Sequence, residues 1–340
     1  MIVVAGASGT LGPVLTPLLV GRGEPVRVVT RDPHAAGMKL SGVELVAGDV
    51  TQPEDARRAV EGARVVVSAI TGFASPAGLQ AVDVEGNRIL VEAAASAGVE
   101  QFVLLSVAQA SADHPMALLR AKFAAEQAVR ATGVGWTIIR PTAYLETWLG
   151  LIGGPLVAQG KTLVFGRGQN PINFVSALDV ARFVDLAIAD RSFRGKVVEV
   201  PGPENLTLDQ LVEITRAASG RSGHVSHSPR AVMRLLSIAL RPINRMRAGQ
   251  IAAALLMDTL DMTIDGPTVR AAFPSIQMTT AAVVAERLFS TNEGRVRSSA
   301  RQAAERSRHR RSGVARRVAA ARRPQTAVKL EVGDVGRVGD

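Results

Sequence analysis

Across the first two hundred positions, short runs of β-branched and leucine residues alternate with longer stretches whose apolar residues recur every three or four. The runs predict strands at "IVVA" (2–5), "VRVVT" (26–30), "VELVA" (43–47), "RVVVSA" (64–69), "QFVLLS" (101–106), "WTIIR" (136–140) and "KVVEV" (196–200). The longer stretches predict helices, among them 10–21, 54–61, 79–97 and 116–132. Strand and helix in alternation predict an α/β fold, a doubly wound parallel sheet with right-handed crossovers.

After "RPTAYLETWLG" the alternation loosens. Residues 153–175 are rich in glycine and proline and read as loops with short strands, so 146–175 is expected to be an inserted loop region. A helix resumes at "SALDVARFVDLAIAD" (176–190), where Ser176 has Asp179 three residues on, like a capping box with the shorter acid. Another spans 206–220 and stops at Gly220. Residues 229–290 read as mostly helical. The expected organisation is an α/β domain over 1–200, a small, mainly helical C-terminal portion over 201–290 that would border a substrate, and an Arg-rich tail over 291–340. The tail has few large apolar side chains with which to offset chain entropy, so disorder is expected there.

Composition narrows this picture. Aromatic residues make up only 4% of the 340, and Tyr144 is the single tyrosine. The core must therefore be built from Val, Leu, Ile and Ala, which suits parallel strands covered on both faces. There is no cysteine, which excludes disulfides, thiolate chemistry and Cys-type zinc sites and is compatible with a cytoplasmic protein. His224 and His227 are three apart without nearby acids in sequence, so no metal site is expected. With a strand expected at the second residue, no signal peptide is expected. No apolar run reaches the roughly 20 residues of a membrane span. "AVMRLLSIAL" (231–240) comes nearest, but it is short and holds Arg234, and reads as a buried or interface helix.

The formal net charge of +10 has an address. Between Arg295 and Arg323 there are eleven arginines and one acid, Glu305, so the rest of the chain sums to zero. Nucleic acid or an acidic partner is thus expected only through the 295–323 tail.

The strongest chemical signal is "VVAGASGTLGPVL". Gly6, Gly9 and Gly12 stand directly after the first strand and at the mouth of a helix, with Ser8, Thr10 and Leu11 between them. Gly6 permits a tight turn, Gly9 lets backbone amides approach a pyrophosphate, and Gly12 lets the helix pack close to the sheet. The helix N-terminus adds unpaired N–H groups and a positive dipole end. After the second strand comes "TRDP". Arg31 there can pair with the 2′-phosphate of NADP, with Thr30 adding a hydroxyl, while Asp32 could serve NAD or only start a turn. NADP(H) is favoured over NAD(H). Asp49, with the Val50 backbone, can meet an adenine edge or be a turn aspartate. Ser68, Ala69 and Ile70 end the fourth strand on the ribose side.

Four segments, "GASGTLG", "GDVTQPEDARRAVEGARVVVSAI", "DVEGNRILVEAAASAGVEQFVLLS" and "ATGVGWTIIRPTAYLE", together resemble the short-chain dehydrogenase/reductase superfamily, and among its branches the atypical NmrA-like, NAD(P)H-binding members. The resemblance spans about residues 1–220. It implies a Rossmann-like domain with the dinucleotide at the carboxyl ends of the strands. It also implies that Ser106 sits at the active-site serine position and that Lys122 holds the nicotinamide ribose. "RPTAY", with Pro141, Thr142 and Ala143, would run beside the nicotinamide. Asn87 and Tyr144 would line a pocket for a small-molecule substrate.

The chain departs from the superfamily at Leu118, four residues before Lys122, where tyrosine-bearing members keep the phenol that moves the proton. Some relatives of this branch also lack it and use the lysine as relay. The resemblance therefore implies either an NADP-dependent oxidoreductase of a small carbonyl, quinone or conjugated compound, with Lys122 and Ser106 catalytic, or a non-catalytic NAD(P)H-binding redox-sensing regulator or structural protein.

Overall fold

Four consecutive buried residues, Ile2–Ala5, form strand β1 at the middle of the sheet. The computed structural model describes residues 1–33, 40, 42–75 and 77–290. The further strands are β2 (Val26–Thr30), β3 (Val43–Ala47), β4 (Val65–Ser68), β5 (Gln101–Leu105) and β6 (Trp136–Pro141). Three short strands follow, β7 (Ala143–Tyr144), β8 (Lys161–Phe165) and β9 (Ile172–Val175), and then β10 (Lys196–Val200). Seven of these make one parallel sheet in the order β10-β6-β5-β4-β1-β2-β3. Ile2 pairs with Val26 on one side and Val65 on the other, and the strand order reverses about β1. A ligand crevice opens at such a reversal, beyond the carboxyl ends of the strands.

Helices cover both faces. On one lie α1 (Gly12–Gly21) and, later in the chain, Ala177–Ala189, with Leu15, Leu19, Phe183 and Val184 packed on the sheet. On the other lie α2 (Pro53–Val60), α3 (Asn87–Ser96) and α4 (Ala117–Arg130), with Ala59, Leu90, Val91, Ala125 and Val129 in a separate cluster. The central strands β1, β4 and β5 are buried throughout because helices cover both of their sides, while the edge strand β3 stays partly exposed.

The 79–97 helix is wound in two ways. Gln80–Gly86 is a π-helix that runs into α3. The Asn87 side chain donates to the Asp83 carbonyl at 2.7 Å, inside the widened turn. Gly86 lets that turn approach closely, since a Cβ there would stand 3.2 Å from both Ile70 and Thr51 side-chain carbons.

The 146–175 stretch is more regular than its glycines suggest. It holds α5 (Leu145–Trp148), a π-helical turn (Leu149–Gly153), α6 (Gly154–Gln159), β8 and β9. Gly160, Gly166 and Gly168 carry positive φ between these elements, so they punctuate structure instead of dissolving it. Next is α7, the Ala177–Ala189 helix. Ser176 caps it by accepting from the Leu178 amide. The acid at its mouth is Glu146, which accepts from Ser176 Oγ and the Ala177 amide. Asp179, expected in that role, instead accepts from the Thr279 amide and hydroxyl, each at 2.8 Å.

The remaining elements are β11 (Glu204–Leu206), α8 (Leu208–Ser219), β12 (His224–Ser228), α9 (Arg230–Ala239), α10 (Arg245–Met257), α11 (Gly266–Arg270) and α12 (Ala281–Phe289). α8 has a complete capping box of Thr207 and Gln210 and ends at Gly220 in the left-handed conformation. Leu211, Ala253, Met257 and Val284 from this region share a third apolar cluster with Leu149, Ile152, Leu156 and Phe174. Met1–Ser290 form one unit. The Arg-rich segment 295–323 lies outside the described residues.

Candidate cofactor and active site

The loop between β1 and α1 has the shape that backbone recognition of a phosphate requires. Gly6 sits at φ +86°, and a Cβ on it would stand 2.5 Å from the Ala69 carbonyl oxygen at the end of β4. A Cβ on Gly12 would stand 1.9 Å from the Ala7 carbonyl oxygen. Neither position admits a side chain. Gly9 differs: its amide donates to the Gly6 carbonyl at 3.1 Å, and a Cβ would meet only that oxygen, at 3.4 Å. Its side is open. No side chain caps α1, and no acid lies in its first turn, so its positive end has no internal counter-charge. These features fit a dinucleotide pyrophosphate. Thr10 Oγ1 shares a 2.8 Å hydrogen bond with Thr147 Oγ1, bringing α5 to the edge of the loop.

The adenosine side is looser. Arg31 is exposed just past β2. Thr30 Oγ1 accepts from the Asp32 amide at 3.3 Å, which starts the turn. Asp49 Oδ1 accepts from the Thr51 amide and hydroxyl at 3.0 and 2.8 Å, so one carboxylate oxygen is spent on a turn. Val50 is buried.

At the ends of β4 and β5 the site is made of buried side chains. Lys122 comes from α4, is 6% exposed, and brings Nζ to 2.9 Å from Asp83 Oδ1. Nζ also donates to the Ile70 carbonyl at 2.7 Å. Asp83, wholly buried, accepts the Gly72 amide on its other oxygen at 2.7 Å. The pair holds the strand end, the π-helical turn and α4 together.

A second network lies one helical turn along α4. Glu126, also wholly buried, accepts from Ser106 Oγ at 2.5 Å. Arg140 grips it with both arms, Nε at 2.8 Å and Nη2 at 2.7 Å, and reaches Glu199 at 3.1 Å. The hydrogen bond to Glu126 raises the Arg140 pKa above its ordinary value, and burial raises that of Glu199.

The other expected site residues make the following contacts. The Ser106 hydroxyl donates to Glu126. Asn87 is buried and takes the Ser68 hydroxyl on its Oδ1 at 2.6 Å. Thr142 donates to Asn173 at 3.0 Å, and the Pro141 carbonyl takes the Ala108 amide. Ala143 pairs with Phe174 in β9. Tyr144 is half-buried against the first apolar cluster. Burial first, and the Glu146 carboxylate second, push its hydroxyl above the phenol range, so it stays protonated. Leu118 packs in the third cluster with Phe73 and Val107.

Asp83 and Glu126 are buried charged residues of this site that the sequence pattern did not single out. Each had a signal: Asp83 precedes Asn87 by four on one helix, and Glu126 follows Lys122 by four on another. That spacing puts each pair on one face.

Among the described residues no group of His, Asp and Glu could hold a metal ion, and no helix is long and apolar enough to cross a membrane. Residues 6–191, more than half the chain, match the model of the NAD(P)H-binding family. The chain is 27% identical over 236 residues to the photosystem II assembly factor Ycf39 of Cyanophora paradoxa, covering 69% of this chain and 73% of that one. It is 30% identical over 218 residues to the (4-alkanoyl-5-oxo-2,5-dihydrofuran-3-yl)methyl phosphate reductase of Streptomyces griseus, covering 64% of this chain and 73% of that one. Its fold resembles the NADPH complex of the quinone oxidoreductase QOR2 of Escherichia coli, with a TM-score of 0.67 at 21% identity, over 85% of this chain and 99% of that one. With its glycine loop, its parallel sheet and its lysine-bearing fourth helix in place, the chain belongs to the NAD(P)H-binding family.

Proposed function

We propose that the chain is an NADPH-dependent reductase of a small quinone, carbonyl or conjugated acceptor, with Lys122 as its proton-handling residue. The observation that carries this reading is the buried Lys122–Asp83 pair at the carboxyl end of β4. Gly6, Gly9 and Gly12, with the amides opening α1, would hold the pyrophosphate, and Arg31 the 2′-phosphate. Ala69, Ile70 and the backbone of Pro141–Ala143 would flank the ribose and nicotinamide. NADPH supplies a hydride when bound. The chain must then deliver one proton to the acceptor oxygen. Lys122 Nζ can donate it, and Asp83 can hold the charge in place as it leaves and returns. Leu118 and Phe73 supply an apolar wall that suits an aromatic acceptor. The names of the quinone and furanone-phosphate reductases point to the same chemistry. A cytoplasmic location belongs to the same proposal, resting on the absence of cysteine.

A specific observation favours a second reading, a non-catalytic NADPH-binding regulator. Leucine replaces the phenol, and Ser106 is committed to Glu126. One experiment separates the two: follow NADPH absorbance across a panel of quinones, azo dyes and enones. Reduction of at least one acceptor, lowered at least 100-fold in Lys122→Met with NADPH still bound, is expected of the reductase. No turnover across the panel gives the regulator, and activity retained in Lys122→Met removes the lysine from the proton path.

A further inference from the structure

The surface of α9 is at odds with its packing. Nine large apolar residues are exposed among the described residues, and five of them lie within twelve positions: Val232, Leu235, Leu236, Ile238 and Ile243. Leu235, Ile238 and Ile243 are 68%, 66% and 82% exposed. At about 100° per residue, the exposed apolar side chains of α9 cover an arc of about 160°. Met233, Ser237 and Leu240 occupy the opposite, inward side, toward α10. The helix is amphipathic with its broader apolar face outward.

The charge around this face has one sign. From residue 214 to residue 257 there is no Asp or Glu, while Arg216, Arg221, Arg230, Arg234, Arg241, Arg245 and Arg247 all fall there. Arg234 borders the apolar arc, Arg241 follows it, and Arg245 and Arg247 open α10. All four are exposed, and none is in an ion pair among the described residues. Two cations in the first turn of α10 work against its own dipole.

Charge complementarity narrows what covers this face. The chain's own tail is strongly cationic and apolar-poor, so it would be repelled. A second copy would set arginine against arginine. Arginines bordering projecting leucine and isoleucine are the pattern of a helix lying in a bilayer interface, with the apolar tips among acyl chains and the guanidinium groups at anionic headgroups.

We propose that α9 and the start of α10 form a docking surface for an anionic lipid bilayer. It stands independently of the reductase reading. Gln250 of α10 donates to the Phe73 carbonyl at 3.2 Å, so docking would set the bilayer beside the loop that follows β4.

The test uses the full chain and large unilamellar vesicles, either phosphatidylcholine alone or phosphatidylcholine with phosphatidylglycerol at about 7:3, and reads co-sedimentation. Binding to the anionic vesicles and not to the neutral ones is expected. The triple variant Leu235→Ser, Ile238→Ser and Ile243→Ser should lower the partition at least tenfold; its sites are exposed, so folding should survive. An Ile243→Trp variant should show blue-shifted fluorescence on anionic vesicles. No binding to either vesicle overturns the proposal and leaves the face to an acidic protein. Undiminished binding of the triple variant also overturns it, since the tail would then carry the attraction. NADPH titration of the same preparations keeps the outcomes apart: lost vesicle binding with intact NADPH binding concerns this surface alone, and no NADPH binding in any preparation concerns the cofactor site alone.

Discussion

The two ends of the candidate cofactor site are built from different materials. The phosphate end is backbone: three glycines and a helix terminus, all within seven consecutive residues. The nicotinamide end is side chain: two buried ion networks whose members come from the π-helical turn, α4, β6 and β10. Backbone recognition needs room and conformational freedom, which a local sequence can specify. Buried charges need partners, and the partners arrive from anywhere in the chain.

The largest expected effect tests the backbone end against itself. Gly12→Val should cost about 3 kcal/mol or more, because its Cβ cannot coexist with the Ala7 carbonyl, and calorimetry should show a much lower unfolding temperature. Gly9→Val, with its side open, should unfold near the parent temperature and yet lose NADPH binding in titration calorimetry. If Gly9→Val still binds NADPH with parental affinity, the open side of the loop is not where the pyrophosphate lies.

Next comes the side-chain end. Asp83→Ala leaves the Lys122 ammonium buried without its partner and should destabilise by about 3–5 kcal/mol in urea unfolding. The double variant Asp83→Leu with Lys122→Met should recover most of that loss. A double variant as unstable as the single would mean that the Gly72 and Ile70 contacts, not the charge pair, hold this end together.

A smaller effect concerns cofactor choice. Arg31→Ala should weaken NADPH about tenfold, close to 1.4 kcal/mol, and leave NADH unchanged. Equal losses for both would assign Arg31 no part in reading the 2′-phosphate.

The smallest is a pH effect at the entry to α4. His114 Nδ1 lies 3.0 Å from the Met116 amide, and burial lowers its pKa below the ordinary value. A base with a depressed folded pKa is protonated more readily when unfolded, so stability is intact above the ordinary histidine pKa of about 6.5 and declines as pH falls below it. His114→Gln should flatten the slope of unfolding temperature against pH between about 7 and 5.5. An unchanged slope would assign the acid sensitivity to other groups.

Much of the fold was legible because period and length carry it. The seven sheet strands match their apolar runs to within a residue or two, since strands covered on both faces, such as β1 and β4, are apolar almost throughout. The glycine loop was legible for the same local reason. Residues 146–175 were not: positive-φ glycines separate short elements there, and composition cannot tell a hinge from a coil. Ser106, Asn87 and Ser68 were identified by position, but their partners were not: Ser106 donates to Glu126, Ser68 to Asn87, and Asn87 to the Asp83 carbonyl.

The sequence by itself determined the alternating fold, the phosphate loop and the cationic, acid-free run from 214 to 257. Tertiary structure alone decided that Lys122 meets Asp83, that Ser106 belongs to Glu126 and that the apolar side of α9 faces outward. The physical reason is range. Periodicity, glycine freedom and charge counts are properties of neighbours along the chain. Which buried charge finds which partner, and which face of a helix finds a core, depends on residues brought together from tens of positions away.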